Sequence, residues 1–321
     1  MNLLDKINNK IGYILLNSKI PILILIGIYL IEKNHLYMNK KYINYFNIFK
    51  KLKFGSTVLI TGTGVLIIFF KDKIIKFPMG EHSMLSLSKE YNNYLLLKRS
   101  SLKNLVEYNL KKENTYYVME YLFDCKTVVD AKTKICSQLS KYNSSLVSVT
   151  QLISSEIFTN AFNYIKYINK GKDIDVNEIL TILKSKVSIP SCAMHGDLTP
   201  FNIMQNFKGN VVLIDLDRFE FNGIEKIDRI HFCIEYYAKR KKKDFFIIID
   251  YILRNKNISN KYFYFLFLYF IYRIGVECDL NIELPIEYKN KILTTLKIFL
   301  IKIKEIKNAH THNSIRNIYD Q

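Results

Sequence analysis

The sequence predicts an α+β fold, in which a small antiparallel sheet precedes a mostly helical region. Residues 56–77 are rich in β-branched and aromatic side chains and are interrupted by glycines and one aspartate, a pattern typical of three short strands joined by tight turns. The segment TYYVMEYL, residues 115–122, predicts a further strand. Apolar residues recur at helical spacing over residues 127–187 and again over 225–305. Strands and helices are therefore segregated along the chain and do not alternate.

Helices are also predicted on both sides of the three strands. Residues 1–52 have a mainly helical pattern, whose last apolar positions are Ile43, Phe46, Phe49 and Leu52. After the strands, a further helix is expected to carry an apolar stripe formed by Leu85, Leu87, Tyr91, Tyr94 and Leu95. We therefore expect a helical extension at 1–54, a sheet-containing N-lobe at 55–122 and a helical C-lobe at 123–321.

The composition indicates an ordered protein with an excess of positive charge. The chain has 321 residues, 49% hydrophobic residues and a formal net charge of +18. A basic chain can seek nucleic acid, anionic lipid or phosphorylated substrates. The lysines are scattered, however, which favours a coding bias toward lysine, isoleucine, asparagine and tyrosine over a binding patch. The sequence shows no platform of arginines and aromatic residues of the kind that binds single-stranded nucleic acid, so nucleic-acid binding is not expected.

The cysteines and the apolar segments bear on location. The five cysteines are far apart and show no metal-binding spacing, so reduced thiols and a cytoplasmic location are expected. The N-terminal apolar segment Ile20–Ile31 has twelve uncharged residues, whereas a membrane-spanning helix needs about 20. We interpret it as a buried element, with peripheral membrane contact as the alternative.

A polar cluster interrupts the apolar chain near residue 200. His195, Gly196 and Asp197 are followed by Asn202, five residues after the aspartate, and Asp215 ends the apolar run VVLI. Phosphoryl transfer from ATP needs a residue that orients the acceptor hydroxyl and oxygen ligands that hold Mg²⁺ against the phosphates. The spacing of the cluster meets both requirements. We call residues 195–202 the catalytic loop.

Phosphoryl transfer also needs a cation for the donor phosphates and a loop that covers them. Lys76 lies inside the third predicted strand, and Glu90 lies on the following helix, in reach of it. The rivals are Lys71 and Lys73 at the preceding turn, and Glu81 at the start of the helix. The phosphate-covering loop is expected at the turn that contains Gly62 and Gly64.

With these parts in order, the chain resembles the aminoglycoside phosphotransferase and choline kinase-like branch of the protein-kinase-like superfamily. The resemblance rests on HGDLTPFNI and LIDLDRF, since the branch commonly has H-G-D-x-x-x-x-N in its catalytic loop, and these segments also look like lipopolysaccharide-type sugar kinases. It implies a bilobal kinase-like fold. By this resemblance Asp197 is the catalytic base, and Asn202 and Asp215 are the magnesium ligands.

The resemblance also assigns the nucleotide site. Lys76 would contact the donor phosphates, Glu90 would hold Lys76, and the adenine pocket would be lined by Met119, Glu120 and Leu122. His195 is expected to support the loop through hydrogen bonds. Two roles stay open: Asp217 is either a second-sphere or alternative metal ligand or a solvated carboxylate that pairs with Arg218, and Asp228 either braces the loop or caps a helix.

The sequence departs from the family pattern in ways that bear on the acceptor. Asp217 stands where protein kinases have glycine, and no A-P-E segment follows, so a protein substrate is not expected. Thr199 and Phe201 replace the histidine and glycine common in antibiotic kinases. We therefore predict a kinase that uses ATP and Mg²⁺ to phosphorylate a small molecule, a sugar or glycoconjugate precursor. The alternatives are a catalytically silent kinase-like binding or scaffold protein and a basic membrane-surface protein.

Overall fold

The computed structural model forms two compact units. It describes residues 10, 12–32, 38–53, 55, 57–120, 129–142, 145–148, 151, 153–169, 174–184, 188–205, 208–254, 258–279 and 285–311. Unit 1 comprises Met1–Thr127 and Phe201–Phe219, and unit 2 comprises Val128–Pro200 and Glu220–Gln321. The chain therefore leaves unit 2 within the catalytic loop and returns to it after Phe219.

Unit 1 is built on a five-stranded antiparallel sheet. Its strands are β1 (Thr57–Ile60), β2 (Val65–Phe69), β3 (Lys73–Pro78), β4 (Leu110–Lys112) and β5 (Tyr117–Glu120), in the order β1-β2-β3-β5-β4. The first three strands form the predicted meander, and β5 is the predicted further strand. The sequence analysis missed β4, which has three residues and two exposed lysines and so lacks the alternation of a half-buried strand.

Helix α3 (Glu81–Lys98) follows β3 and buries part of the predicted apolar stripe. Leu87 and Tyr94 are buried and Tyr91 and Leu95 are half-buried, whereas Leu85 is 53% exposed. The prediction missed two polar residues on the buried face, Ser83 and Glu90. Ser83 accepts hydrogen bonds from the backbone at the start of the helix, and Glu90 pairs with a strand lysine. A 3₁₀ turn (Lys103–Val106) connects α3 to β4.

The N-terminal helices belong to unit 1 and pack with the sheet. Helix α1 (Pro21–Glu32) and helix α2 (Tyr45–Lys51) contribute Ile24, Ile28, Ile31 and Ile48 to one core with Leu66, Ile68 and Phe77. Of the four apolar positions in the predicted helical pattern, Ile43 and Leu52 are buried, whereas Phe46 and Phe49 are 66% and 47% exposed. Ile48, which lies outside that pattern, is also buried. Among the described residues, no helix is long and apolar enough to cross a membrane.

A short hairpin completes unit 1. Strands β8 (Ile203–Gln205) and β9 (Val211–Leu213) pair antiparallel, with Ile203 opposite Leu213. Residues 201–219 belong to the same compact unit as the five-stranded sheet, whereas the sequence analysis placed them in the helical C-lobe.

Unit 2 is mostly helical and carries a small sheet of its own. Its helices are α4 (Val129–Lys141), α5 (Glu156–Ile168), α6 (Val176–Lys184), α7 (Glu225–Lys241), α8 (Phe245–Arg254), α9 (Asn260–Asp279) and α10 (Ile286–Thr311). The sheet has the order β10-β7-β6, from Glu220–Gly223, Ser188–Met194 and Ser145–Ser148. The α+β class is confirmed, and so are the helices after residue 225. The helical prediction over 127–187 missed β6, which interrupts it.

Helix α9 runs through the core of unit 2. Residues 263–272 of this helix are all buried, which explains the long apolar run in the sequence. At Gly275 the helix lies so close to α5 that an added Cβ would overlap the carbonyl oxygen of Ile157. This packing fixes the position of the last turns of α9.

Candidate active site

A buried ion pair joins strand β3 to helix α3 in unit 1. Lys76 Nζ donates to both oxygens of Glu90, at 2.7 and 2.8 Å, and the two side chains are only 9% and 3% exposed. Burial lowers the pKa of Lys76, but the charges of Glu90 and Asp215 outweigh it, so the net shift is upward. The lysine is therefore held in its charged form.

The rivals of this pair have no comparable environment. Lys71 and Glu81 are exposed, and the Lys73 side chain is 45% exposed, with its Nζ 4.0 Å from Asp72. A charge that is removed from water needs a close partner of opposite charge, and Lys76 and Glu90 provide one for each other.

The predicted metal ligands lie at one end of the hairpin in unit 1. The N–H of Ile214 donates to the backbone oxygen of Asn202 at 3.0 Å, so Asn202 and Asp215 are neighbours across the two strands. Asp215 is exposed and has a φ of 61°, a left-handed conformation that is uncommon outside glycine. Its backbone also hydrogen-bonds the Glu90 carboxylate.

This donor set fits Mg²⁺. A carboxylate and a carboxamide supply hard oxygen ligands, and Mg²⁺ in phosphate sites is commonly bound by one or two protein carboxylates with phosphates and waters. A group of three or more histidine, cysteine or acidic side chains that could hold a metal without help from a substrate is not found in the described part of the chain.

Helix α3 also anchors the residues that follow Asp215. Ser86 Oγ donates to Asp217 Oδ2 at 2.8 Å, and Asn93 Nδ2 donates to the carbonyl of Leu216 at 2.7 Å. Burial, and then the charge of Asp215, raises the pKa of Asp217 to about 7. The sequence analysis missed Ser86 and Asn93, because single polar residues on a helix carry no spacing signal.

In unit 2, the start of the catalytic loop is held by Asp228 of helix α7. The N–H groups of His195 and Gly196 donate to the two carboxylate oxygens of Asp228, at 2.6 and 2.9 Å. Asp228 is fully buried and lies inside the helix, whose N-cap is Ile224. Of the two roles left open for Asp228, the structure favours the brace. Gly196 has a φ of 80°, which a side chain would strain.

His195 also supports the loop. It is completely buried, and its Nδ1 accepts from the N–H of Asp197 at 3.3 Å. This hydrogen bond lies inside the turn that carries Asp197, in line with the predicted supporting role.

Asp197 contacts two side chains that the sequence analysis did not identify. Its Oδ1 lies 3.0 Å from Arg273 Nη1 and 3.0 Å from His231 Nε2, the latter outside hydrogen-bond geometry. Arg273 in turn donates to Glu277 at 2.7 Å, and His231 Nδ1 lies 2.9 Å from the hydroxyl of Tyr269. No motif connects these residues to the catalytic loop.

The remaining predicted nucleotide residues lie in unit 1. Gly64 closes the turn between β1 and β2 with a φ of 78°, whereas a Cβ added at Gly62 would meet nothing within 4 Å. Met119 is 2% exposed, and Glu120 Oε2 accepts from the N–H of Asn109 at 3.1 Å. Leu122 lies outside the described residues. The adenine pocket therefore stays a prediction.

No family model and no curated protein sequence matches the chain. Solved structures that it resembles include the choline kinase LicA from Streptococcus pneumoniae, with 18% identity, a TM-score of 0.40, and 76% of this chain and 94% of that one covered. An ethanolamine kinase from Plasmodium vivax has 13% identity and a TM-score of 0.46, with 86% and 90% covered. The ADP-bound aminoglycoside phosphotransferase APH(2'')-Ib has 12% identity and a TM-score of 0.47, with 81% and 98% covered.

Proposed function

We propose that this protein is a phosphotransferase that uses ATP and Mg²⁺ to phosphorylate a hydroxyl of a small molecule. The observation that carries the proposal is the contact of Lys76, Glu90 and Asp215 in unit 1. A buried, charged lysine beside an exposed carboxylate supplies the two charges that steady nucleotide phosphates and their metal.

The residues of unit 1 serve the donor. Lys76 binds donor phosphate oxygens, and Glu90 keeps its ammonium group in place. Asn202 and Asp215 would hold Mg²⁺, which when bound neutralises phosphate charge. The turn at Gly62 and Gly64 covers the phosphates, and Met119 and Glu120 at the end of β5 contact the base, together with Leu122, which lies outside the described residues.

Asp197 of unit 2 serves the acceptor. Its carboxylate orients the hydroxyl and takes the proton as the acceptor oxygen bonds to the γ-phosphorus. The bond between that phosphorus and the bridging oxygen breaks, ADP leaves, and the proton passes to solvent. Most of the rate enhancement then comes from positioning and charge neutralisation.

Two acceptor classes are supported by different observations. The positive net charge and the replacement of the antibiotic-kinase residues by Thr199 and Phe201 favour a sugar or glycoconjugate precursor with acidic groups. A small cavity of about 90 Å³ in unit 2 favours an alcohol that carries an ammonium group. Its walls include the carboxylate of Glu235 and the aromatic rings of Phe245, Phe270 and Tyr288, which attract cations, together with Glu277, whose carboxylate is paired with Arg273 of the same wall.

Peripheral membrane contact stays a prediction, supported by helix α1. The helix is apolar on both sides: Ile24, Ile28 and Ile31 are buried, while Ile22, Ile26 and Tyr29 are 55%, 43% and 44% exposed. Residues 1–53 hold nine lysines and two acidic residues, which suits anionic lipid. Ile22→Glu/Ile26→Glu should reduce co-sedimentation with vesicles that contain phosphatidylserine, whereas Ile247→Glu in unit 2 should not. Equal sedimentation of the two variants would contradict the prediction.

The cytoplasmic location also stays a prediction. It rests on the cysteine pattern of the sequence. In the described part of the chain, no disulfide involves Cys136, Cys192, Cys233 or Cys278.

The proposed function is tested by nucleotide binding followed by turnover. ATP with Mg²⁺ should raise the melting temperature of the wild type, and Asp215→Ala should remove the magnesium-dependent part of the shift. ADP release should then be measured with sugars, polyols and amino alcohols as acceptors. Nucleotide binding with no ADP release on any of them would overturn the proposal in favour of the silent binding protein.

A further inference from the structure

One carboxylate oxygen of Asp197 is contacted by two side chains from different helices of unit 2. Arg273, on α9, donates to Oδ1, and His231, on α7, places Nε2 at the same oxygen. Their side chains are 15% and 2% exposed, against 29% for Asp197. The carboxylate is thus partly accessible, while the two groups that contact it are fixed in the interior.

We propose that Arg273 and His231 are positioning residues, which set the orientation of the Asp197 carboxylate for the acceptor hydroxyl. The inference rests on the proposed function, because it assigns a purpose to contacts of the proposed base. A general base must be held within hydrogen-bond reach of the proton that it takes, and a misplacement of about 1 Å can cost roughly 100-fold in rate.

Arg273 is itself well anchored. Nη2 donates to Glu277, one turn further along α9, so both sides of the planar guanidinium have a carboxylate partner. The neighbouring Tyr272 donates to the carbonyl of Gly196, which ties the same helix to the catalytic loop. The close packing at Gly275 leaves α9 little freedom to shift. Helix α9 therefore contacts two oxygens of the loop turn, a carboxylate oxygen of Asp197 and the carbonyl oxygen of Gly196.

His231 restrains the carboxylate without adding a second positive charge. Burial, and then the charge of Arg273, lowers its pKa, although the contact with Asp197 acts in the opposite direction. A neutral ring beside a carboxylate is expected to present its N–H to the carboxylate, so Nε2 carries the proton and Nδ1 accepts from Tyr269. The imperfect angle at Nε2 is of the kind that tightens once a substrate is bound.

Arg273 lies between two carboxylates. Its Nη1 donates to Asp197 and its Nη2 to Glu277, and Arg273 and Glu277 both line the small cavity. The guanidinium therefore offsets the repulsion that the Glu277 carboxylate would otherwise exert on the proposed base.

A double-mutant cycle tests whether Arg273 acts through Asp197. In the wild-type background Arg273→Met should lower turnover roughly 10- to 100-fold, with the affinity for ATP and Mg²⁺ unchanged. In the Asp197→Asn background the same change should cost less than about twofold, because the group that it positions is no longer a base. Turnover is measured as ADP release with the acceptor found in the panel, and folding as the melting temperature.

Matched variants separate this role from general stability. Arg254→Met removes an exposed arginine of the same unit, which pairs with Asp250, and should leave turnover unchanged. Added guanidinium ion should partly restore turnover in Arg273→Ala and have no effect in Arg254→Ala. His231→Gln, which keeps a donor at the ε position, should retain more activity than His231→Leu.

The outcomes distinguish the positioning role of Arg273 from the proposed function. Equal losses from Arg273→Met in both backgrounds, or a loss accounted for by unfolding, would overturn the positioning role and leave the kinase assignment intact. Full activity of Asp197→Asn would remove the base role and with it the positioning role, whereas nucleotide binding by the wild type without ADP release on any acceptor would overturn the proposed function itself.

Discussion

Each unit holds an ion pair, but the residue proposed to contact substrate is the cation in unit 1 and the anion in unit 2. In unit 1 the ammonium group of Lys76 is proposed to contact substrate, and the carboxylate of Glu90 holds it. In unit 2 the carboxylate of Asp197 is proposed to contact substrate, and the guanidinium of Arg273 holds it. In both pairs the holding group is the more buried one, at 3% against 9% and at 15% against 29% exposed.

The two ion pairs differ in how deeply they are buried and in whether a residue keeps another charged partner when the pair is broken. The pair in unit 1 is nearly sealed from water, so either residue alone would be a buried unpaired charge. In unit 2 the loss of Asp197 leaves Arg273 with Glu277. We therefore expect disruption of the first pair to affect folding, and disruption of the second to affect chemistry.

The largest expected effect is on turnover in unit 2. Asp197→Asn should lower turnover by roughly 10²–10⁴ if the carboxylate is the general base. Its effect on the free energy of unfolding should stay within about 1 kcal/mol, because the side chain is partly exposed and Arg273 keeps a partner. Steady-state kinetics and urea unfolding measure the two quantities. Asp250→Asn, a surface carboxylate paired with Arg254, is the control.

In unit 1 the corresponding change should unfold the protein more readily. Glu90→Leu should reduce the free energy of unfolding by about 3–5 kcal/mol, because it leaves Lys76 buried without its carboxylate. Lys76→Met/Glu90→Leu should recover most of that stability but should not bind the nucleotide, because the lysine proposed to contact the donor phosphates is absent. A double variant as unstable as Glu90→Leu would show that the loss does not come from an unpaired buried lysine.

The packing of helix α9 offers a smaller effect that links stability to chemistry. Gly275→Ala should cost about 1–3 kcal/mol, because the added methyl overlaps the carbonyl of Ile157. Turnover should fall more than the folded fraction does, since the displaced helix carries Arg273. Melting curves and turnover at the same temperature make the check, and a fall explained fully by unfolded protein would contradict it.

Glu220 is a carboxylate whose environment is dominated by burial, whereas the carboxylates of the two ion pairs each have a cationic partner. Burial raises the pKa of Glu220 in unit 2 from 4.5 to about 6. A raised carboxyl pKa means that the folded state binds the proton more tightly, so this contribution to stability is present at low pH and is lost as the pH rises through 4.5–6. Glu220→Gln should therefore stabilise the protein by up to about 2 kcal/mol at pH 8 and by little at pH 4. Unfolding at the two pH values measures this, and an equal change at both would contradict it.

The sequence predicted the parts of the site that lie on local patterns. The strand that carries Lys76, the helix that carries Glu90 and the loop around Asp197 each have a signal within about twenty residues, and the structure brings Lys76, Glu90 and Asp215 together. The proposed roles of these residues still await experiment.

The rest depended on contacts between distant segments. Arg273 lies 76 residues from Asp197, in a stretch whose apolar run indicates only a buried helix. Burial also departs from hydrophobicity at single positions of α2 and α3. Phe46 and Leu85 are apolar but exposed, and Glu90 is charged but buried, so hydrophobicity alone does not identify every buried position.

The most direct test of the account is transfer of radiolabelled γ-phosphate from ATP to an acceptor, compared between the wild type and Asp197→Asn at saturating nucleotide and Mg²⁺. The wild type should yield a phosphorylated acceptor, the variant should react at least about 100-fold more slowly, and both proteins should bind the nucleotide with equal affinity. Equal rates for the two proteins, or no labelled acceptor from a wild type that binds the nucleotide, would contradict it.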